Sequence, residues 1–413
     1  MPALSTSRDL RRANRSAVLR ELLFGGQTSR LALAEATGLS NATVSAVVGD
    51  LIDEGLVREA GAEESSGGRP RTLVGVAADR ALAVGVDLGE RGLRVESFDL
   101  AWQKRSATFV EVPPGSLEPA DLVGHVARAV DAVVADAGVA GATLLGVGVS
   151  VPGVVERTDR AEVHAPGLGW DGLPVGELLA PVMPGAVIVD NGAKAMGQAE
   201  LWFGAARGAS DAVVALLGIG VGAAIVTGGR LYRGSRSSAG EWGHTPIVVD
   251  GNLCRCGSRG CLEAYVGESA ILRRWDAAGA APARDGATDT ERIEALFALA
   301  ASDPAADAVA EAFARHLGAG LATLVNLFNP DRIVLAGSVG LRLTPDLLAR
   351  VRSAAERYAL RQPFESVQIV QGRLGEDAVA LGAATLVVDA LLASGFTLGP
   401  DGERIAIAAG AAR

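Results

Sequence analysis

Glu241-Trp-Gly-His244, then Cys254-Arg-Cys256-Gly-Ser-Arg-Gly-Cys261, then Glu263: the reading of this chain turns on that stretch. The three cysteines are the only ones in 413 residues, and they lie within eight positions of each other. An odd, tightly clustered set argues for a metal site rather than a disulfide framework. Gly257 and Gly260 let the chain fold back so that three thiolates converge, with His244 as a fourth donor. A Cys3His set fills a tetrahedral zinc site with no open position, which is the structural type.

Working outward from this knuckle, the chain alternates strands and helices. Buried strands are expected at Leu82–Val86, Leu93–Phe98, Leu144–Val149, Ala186–Val189, Ala212–Leu217, Ala223–Val226 and Arg332–Leu335. Alternation of this kind means an α/β body with helix-covered sheets. Two Gly-rich strand-turn signals, near Asp87 and near Gly218, hint at two similar halves. Hydrophobic residues make up 49% and aromatics 4%, so the cores are built from Ala, Val and Leu. No apolar run reaches the length of a membrane span. The Arg-rich N-terminus has no apolar signal region, so a cytoplasmic location is expected.

A net charge of −10 looks wrong for a nucleic-acid binder, but it is unevenly spread. Residues 1–80 hold ten Arg against ten Asp plus Glu, so the excess acid lies wholly beyond them. A neutral, locally basic head on an acidic body can still bind DNA. In that head Val18, Leu19, Leu22 and Leu23 recur at helical spacing and stop at Gly25-Gly26. Helices are expected from about Ser29 to Thr37 and from about Ser40 to Glu54, the latter capped by Ser40. Ala34, Gly38 and Val44, at offsets of four and six, supply the small residue, turn and anchor of a helix-turn-helix. Ser40, Asn41, Thr43 and Ser45 then open a recognition helix with short polar side chains suited to base edges and phosphates. The loop carrying Arg69-Pro70-Arg71 reads as a wing whose arginines enter a minor groove or hold phosphates. The expected division is residues 1–75 for a winged helix-turn-helix, 80–394 for a ligand-binding body and 395–413 for a loose tail.

These residues together resemble the ROK family of repressors and sugar kinases. The likeness rests on Glu241-Trp-Gly-His244, the knuckle running to Glu263, Val151-Pro-Gly-Val154, Pro166 to Trp170, Leu374-Gly-Glu-Asp-Ala378 and Gly382-Ala-Ala384. It implies a two-lobed, actin-like ATPase (sugar-kinase-like) fold with a sugar in the cleft. Within that resemblance Glu241 and Glu263 accept hydrogen bonds from sugar hydroxyls, Asn191 adds another, and His244 ligates zinc while fixing the Glu241 loop. Buried hydroxyls each need a partner, so paired acceptors and an amide suit a polyol.

The chain departs from the kinases of that family where their chemistry resides. Their base stands in a motif close to Asn-Asp-Ala-Asn; here it reads Asn191-Gly192-Ala193-Lys194, with Asp190 one residue early. A helix turns about 100° per residue, so Asp190 is not a ready substitute. The first phosphate loop resembles Asp-x-Gly-Gly-Thr but here reads Asp87-Leu-Gly89-Glu90-Arg91, and the second, Gly218-Ile219-Gly220, lacks a Thr. The expectation is a transcriptional regulator without catalysis: a homodimer or homotetramer binding operator DNA and sensing a sugar or sugar derivative. The alternative is an active ATP-dependent sugar kinase with an appended DNA-binding head. Lys194, one of two lysines, reads either as a cleft cation for an anionic ligand or as a surface lysine beside Gln198.

Overall fold

The computed structural model describes residues 6–62, 70–112, 119–139, 141–158, 160–279 and 286–396. Helix α1 (Ser7–Gly25) opens on a capping box between Thr6 and Asp9 and buries Val18, Leu19, Leu22 and Leu23. Helices α2 (Arg30–Thr37) and α3 (Asn41–Asp53) follow, bent from each other by 116°. That angle belongs to a helix-turn-helix, and Gly38 at φ 70° makes the turn. The Ser40 side chain accepts from the Thr43 backbone N–H at 3.1 Å, as an N-cap should. Strands β1 (Thr28–Ser29), β2 (Val57–Ala62) and β3 (Thr72–Val76) form a sheet in the order β1-β3-β2, so β2 and β3 are the two sides of a wing.

The body holds two five-stranded sheets of one design. In lobe one, β4 (Ala81–Gly89), β5 (Gly92–Asp99) and β6 (Lys104–Glu111) make an antiparallel meander. Strands β7 (Thr143–Val151) and β11 (Ala186–Asn191) extend it in parallel beyond β4. A small sheet of β8 (Val154–Val155), β9 (Glu162–Ala165) and β10 (Trp170–Pro174) lies between them in sequence, beside α5 (Val175–Leu179), and α4 (Pro119–Ala135) packs on β5 and β6. In lobe two, β12 (Ala212–Leu217), β13 (Val221–Thr227) and β14 (Arg230–Tyr232) repeat the meander. Strands β15 (Arg332–Ala336) and β16 (Gln368–Gln371) repeat the parallel extension beyond β12. The glycine-rich turns near Asp87 and Gly218 are therefore the first hairpin turns of two equivalent meanders.

Helices α7 (Glu263–Val266), α8 (Glu268–Ala277), α9 (Asp289–Leu299), α10 (Pro304–Phe328), α11 (Gly337–Gly340), α12 (Pro345–Tyr358) and α13 (Arg361–Ser366) belong to lobe two. Two further helices reach from the cleft to the head. Helix α6 (Gly192–Trp202) starts at the cleft and ends in Trp202 and Phe203, which pack on Phe24 of α1 and on Trp102. Helix α14 (Ala378–Ser394) has Val379 of its first turn in the cleft lining and ends under α1. There Arg20 pairs with Asp389 at 2.7 Å, and Arg15 donates to the Gly395 and Phe396 carbonyls at 2.9 and 3.0 Å. The two helices touch at backbone distance: a Cβ on Gly382 would sit 1.8 Å from the Ala195 carbonyl oxygen.

The expected loose tail needs correction at its start. Gly395 is the left-handed C-cap of α14, and Phe396 is 1% exposed in one apolar cluster with Val18, Leu19 and Leu391. Residues 397–413 lie outside the described ones. Among the described residues no single helix is long and apolar enough to cross a membrane.

Candidate functional site

A cleft of about 680 Å³ separates the lobes. Its lining takes Asp87–Gly92 from the first hairpin turn, Gly218–Gly222 from the second, Pro166–Leu168, the start of α6, and Glu241, His244, Arg255, Cys256 and Glu263 from the knuckle region.

His244, Cys254, Cys256 and Cys261 place their ligand atoms within 4.8 Å of one another. Cys256 Sγ lies 3.8 Å from Cys261 Sγ, and Cys254 Sγ lies 3.7 Å from His244 Nδ1. A tetrahedral zinc with ordinary bond lengths needs edges of about 3.8 Å between two sulfurs and about 3.6 Å between sulfur and nitrogen. The donor set and its spacing therefore fit a divalent metal. Burial pushes the Cys254 thiol up to about 12, so a cation's charge would be required to hold it as a thiolate. The knuckle glycines behave as read from the sequence. Gly257 and Gly260 have φ of 88° and 78°, and a Cβ on Gly260 would strike the Val248 carbonyl oxygen at 1.7 Å.

The expected sugar acceptors divide by how far the protein already uses them. Glu263 is buried at 6% exposure; its Oε2 accepts from the Val221 N–H at 2.9 Å and its Oε1 from Arg255 Nε at 3.0 Å. The short helix Trp242–His244 carries Glu241 into the lining, where burial pushes its carboxyl up and Lys194 and His244 oppose the shift. Asn191 lines the cleft but is also the N-cap of α6. Its Oδ1 accepts from the Ala193 N–H at 2.9 Å, and its Nδ2 donates to the Gly153 carbonyl at 2.7 Å. That leaves Asn191 one amide hydrogen for a ligand.

Lys194 departs from both readings of it. Gly192, Ala193 and Met196 are the residues of α6 in the lining; Lys194 is not among them, and it is 2% exposed, so it is neither a cleft cation nor a surface lysine. Its charged neighbours are Asp190 and Glu241, and burial lowers its pKa. Asp190 is equally withdrawn, at 2% exposure, with its carboxylate paired to Arg233 and its Oδ1 accepting from the Asn191 N–H. Gly192 stands in the lining with no side chain.

Sequence reasoning missed Arg255. Its guanidinium joins Glu263 of lobe two to Glu90 of lobe one, with Nη1 2.5 Å from Glu90 Oε1. Beside it Arg91 crosses the cleft to Glu268 at 2.6 Å and Asp289 at 3.1 Å.

In the head, Asn41 and Ser45 are exposed on α3 together with Ala42 and Ala46, one small-residue face that could approach a groove closely. Ser40 and Thr43 bond to each other at 2.9 Å as part of the cap. Arg71 is exposed just before β3, and Arg69 lies outside the described residues.

A model of the ROK family matches residues 83–390, and a model for winged helix-turn-helix DNA-binding matches residues 11–58. The chain is 28% identical over 390 residues to a xylose repressor from Caldicellulosiruptor bescii, covering 93% of this chain and 97% of that one. It is 30% identical over 321 residues to a glucokinase from Halalkalibacterium halodurans, covering 74% of this chain and 94% of that one. A solved ROK family transcriptional regulator, described as a homologue of the E. coli MLC protein, superposes with a TM-score of 0.78 at 24% identity, over 94% of this chain and 98% of that one.

Proposed function

The chain belongs to the ROK family, and from that premise we propose that it is a DNA-binding repressor of carbohydrate genes, with a degenerate kinase-like body that senses a sugar and transfers no phosphate. One observation carries the reading. Glu241 and Glu263, to which the family resemblance gives the sugar hydroxyls, line the cleft together with Gly192, to which it gives the base position and which has no side chain, while the neighbouring Asp190 is sequestered by Arg233. Sugar binding without chemistry, joined to an exposed recognition helix, is the equipment of a sensor. The xylose repressor among the relatives makes an aldopentose a first candidate ligand.

Zinc would be held by His244, Cys254, Cys256 and Cys261. It would supply folding free energy rather than catalysis, since four protein donors leave no position for substrate. His244 serves two ends, because the imidazole that lies beside Cys254 also lines the cleft next to Glu241. Ligand binding to Glu241 and Glu263 in lobe two and Asn191 in lobe one would draw the lobes together. Helices α6 and α14 run from that cleft to α1, so a change in lobe geometry is delivered to the head. In a dimer it resets the spacing of two recognition helices on a palindromic operator. The coupling requires that the ligand bind the DNA-competent and incompetent states with different affinity.

The test is capture of genomic fragments by the full-length protein, then footprinting with and without a panel of neutral monosaccharides. A two-fold symmetric footprint lost or gained with one sugar is expected. An absence of specific fragments would refute the regulator, and a footprint indifferent to every sugar would refute the sensor.

A further inference from the structure

Four arginines line the cleft, and each is paired to at least two carboxylates of the chain itself. Arg91 holds Glu268 and Asp289 at 2.6 and 3.1 Å, and Arg94 holds Glu376 and Asp377, both at 3.3 Å. Arg342 holds Glu294 and Glu376 at 3.3 and 3.6 Å, and Arg255 holds Glu90 and Glu263 at 2.5 and 3.0 Å. Arg255 is the central one. A Cβ on Gly220, in the second hairpin turn, would lie 3.1 Å from its Nη2, and a Cβ on Gly167, from lobe one, 3.6 Å from its Nη1. Its guanidinium thus spans the gap between the lobes at the level of both hairpin turns.

A planar guanidinium binds carboxylate and phosphate through the same fork of donors. A phosphorylated ligand reaching Arg255 would have to displace Glu90 and then face the Glu263 carboxylate as well. Repulsion built against a competitor confers specificity as surely as attraction toward the partner. We propose that Glu90 is an internal stand-in for a ligand phosphate. Its carboxylate fills the anion position that Arg255 would otherwise offer, ties the lobes together without nucleotide, and confines the cleft to uncharged ligands. The last consequence deepens the sugar-sensing reading and rests on it; the masking of an anion position by Glu90 does not.

The experiment titrates sodium tripolyphosphate into the zinc-loaded full chain by calorimetry at fixed ionic strength. It compares wild type, Glu90→Gln, Glu90→Gly and Glu90→Gln with Arg255→Met. Zinc content and melting temperature verify folding, with Arg255→Gln in reserve should the methionine variant misfold. Wild type is expected to give no measurable heat, both single variants to bind at least about tenfold more tightly, and the double variant to fall silent again. Equal binding by wild type and Glu90→Gln overturns the proposal. So does silence in both single variants, or binding that survives loss of Arg255. A parallel thermal-shift panel sets neutral xylose, glucose and N-acetylglucosamine against sugar phosphates. A shift by a phosphate and by no neutral sugar in wild type refutes the uncharged-ligand consequence. No shift by any sugar counts against the sensor reading and leaves the tripolyphosphate result to judge Glu90 alone.

Discussion

The turn between β4 and β5 and the turn between β12 and β13 occupy equivalent places in two sheets of one strand order, yet they face the cleft with different chemistry. The first is a two-residue connection, Gly89 pairing with Gly92, and it works through side chains: Glu90 and Arg91 each cross to lobe two. The second, Gly218-Ile219-Gly220, works through its backbone. The Gly218 carbonyl accepts from the Glu268 N–H at 2.9 Å, and Val221 just beyond donates to Glu263. A duplicated scaffold has thus kept one turn as a surface for neighbours to rest on and converted the other into charged arms. The cleft is held by the arms of one half gripping the knuckle and helices of the other.

The largest effect that could break this comparison is removal of the knuckle, which lobe one lacks. Cys261→Ser is expected to lose the metal and about 4 kcal/mol or more of stability. Metal analysis with hydrogen exchange should place the loss in lobe two; unchanged metal content and melting would refute it. Next comes chemistry. On the proposal that Gly192 stands in place of a base, a coupled assay with ATP and a sugar panel should find turnover about 10² to 10⁴-fold below a competent kinase, before any loss of nucleotide binding. Robust turnover would mean that Asp190 leaves Arg233 to act as the base, and the two turns would then have to be read as working phosphate loops.

A smaller effect sharpens the contrast between arms and backbone. Arg91→Ala strands Glu268, whose side chain is 1% exposed and, among the described residues, keeps only the Ser338 hydroxyl at 2.8 Å. Leaving a buried carboxylate so under-satisfied should cost about 1 to 3 kcal/mol in denaturant unfolding. Ile219→Ala in the opposite turn should cost within about 1 kcal/mol. The reverse order would show that the backbone turn, not the charged one, carries the closure.

An effect confined to a change of pH concerns β5 beyond its turn. Burial, with Asp377 beside it, pushes Glu96 up from 4.5 to about 7. The folded chain holds a proton through that window and the unfolded chain does not. The contribution of Glu96 to stability is therefore complete below pH 4.5 and is lost as pH rises through about 7. Glu96→Gln should flatten this dependence, worth roughly 3 kcal/mol between its ends. An unaltered pH profile would show that Glu96 is not the group responsible.

Much of this was legible in the sequence because the signals are local. The apolar runs mark seven buried strands, the offsets of Ala34, Gly38 and Val44 mark the helix-turn-helix, and four donors within eighteen residues mark the cluster that could hold a metal. Strand β6 escaped because it lies exposed at a sheet edge and carries Lys104, Arg105 and Ser106 in place of an apolar run. Arg255 escaped because the carboxylate that explains it, Glu90, stands 165 residues away. Lys194 was misjudged because a lone cation near a cleft motif says nothing of which side of the helix it takes. The second duty of Asn191 escaped because helix capping is not visible in the motif: α6 claims its Oδ1 and the Gly153 carbonyl one amide hydrogen, which leaves the other for a ligand.

The aromatic junction bears on how such chains can be recombined. Phe24 of the head, Trp102 of lobe one and Trp202 with Phe203 of α6 share one contact, with Phe24 and Trp202 centroids 4.0 Å apart and Arg20 above both. The head is therefore not a detachable cartridge. Grafting a different DNA-binding head onto this body, or this head onto another body, requires matching the β5–β6 turn and the ends of α6 and α14 as one set. A chimera cut in the linker alone would leave aromatic surface bare on both pieces.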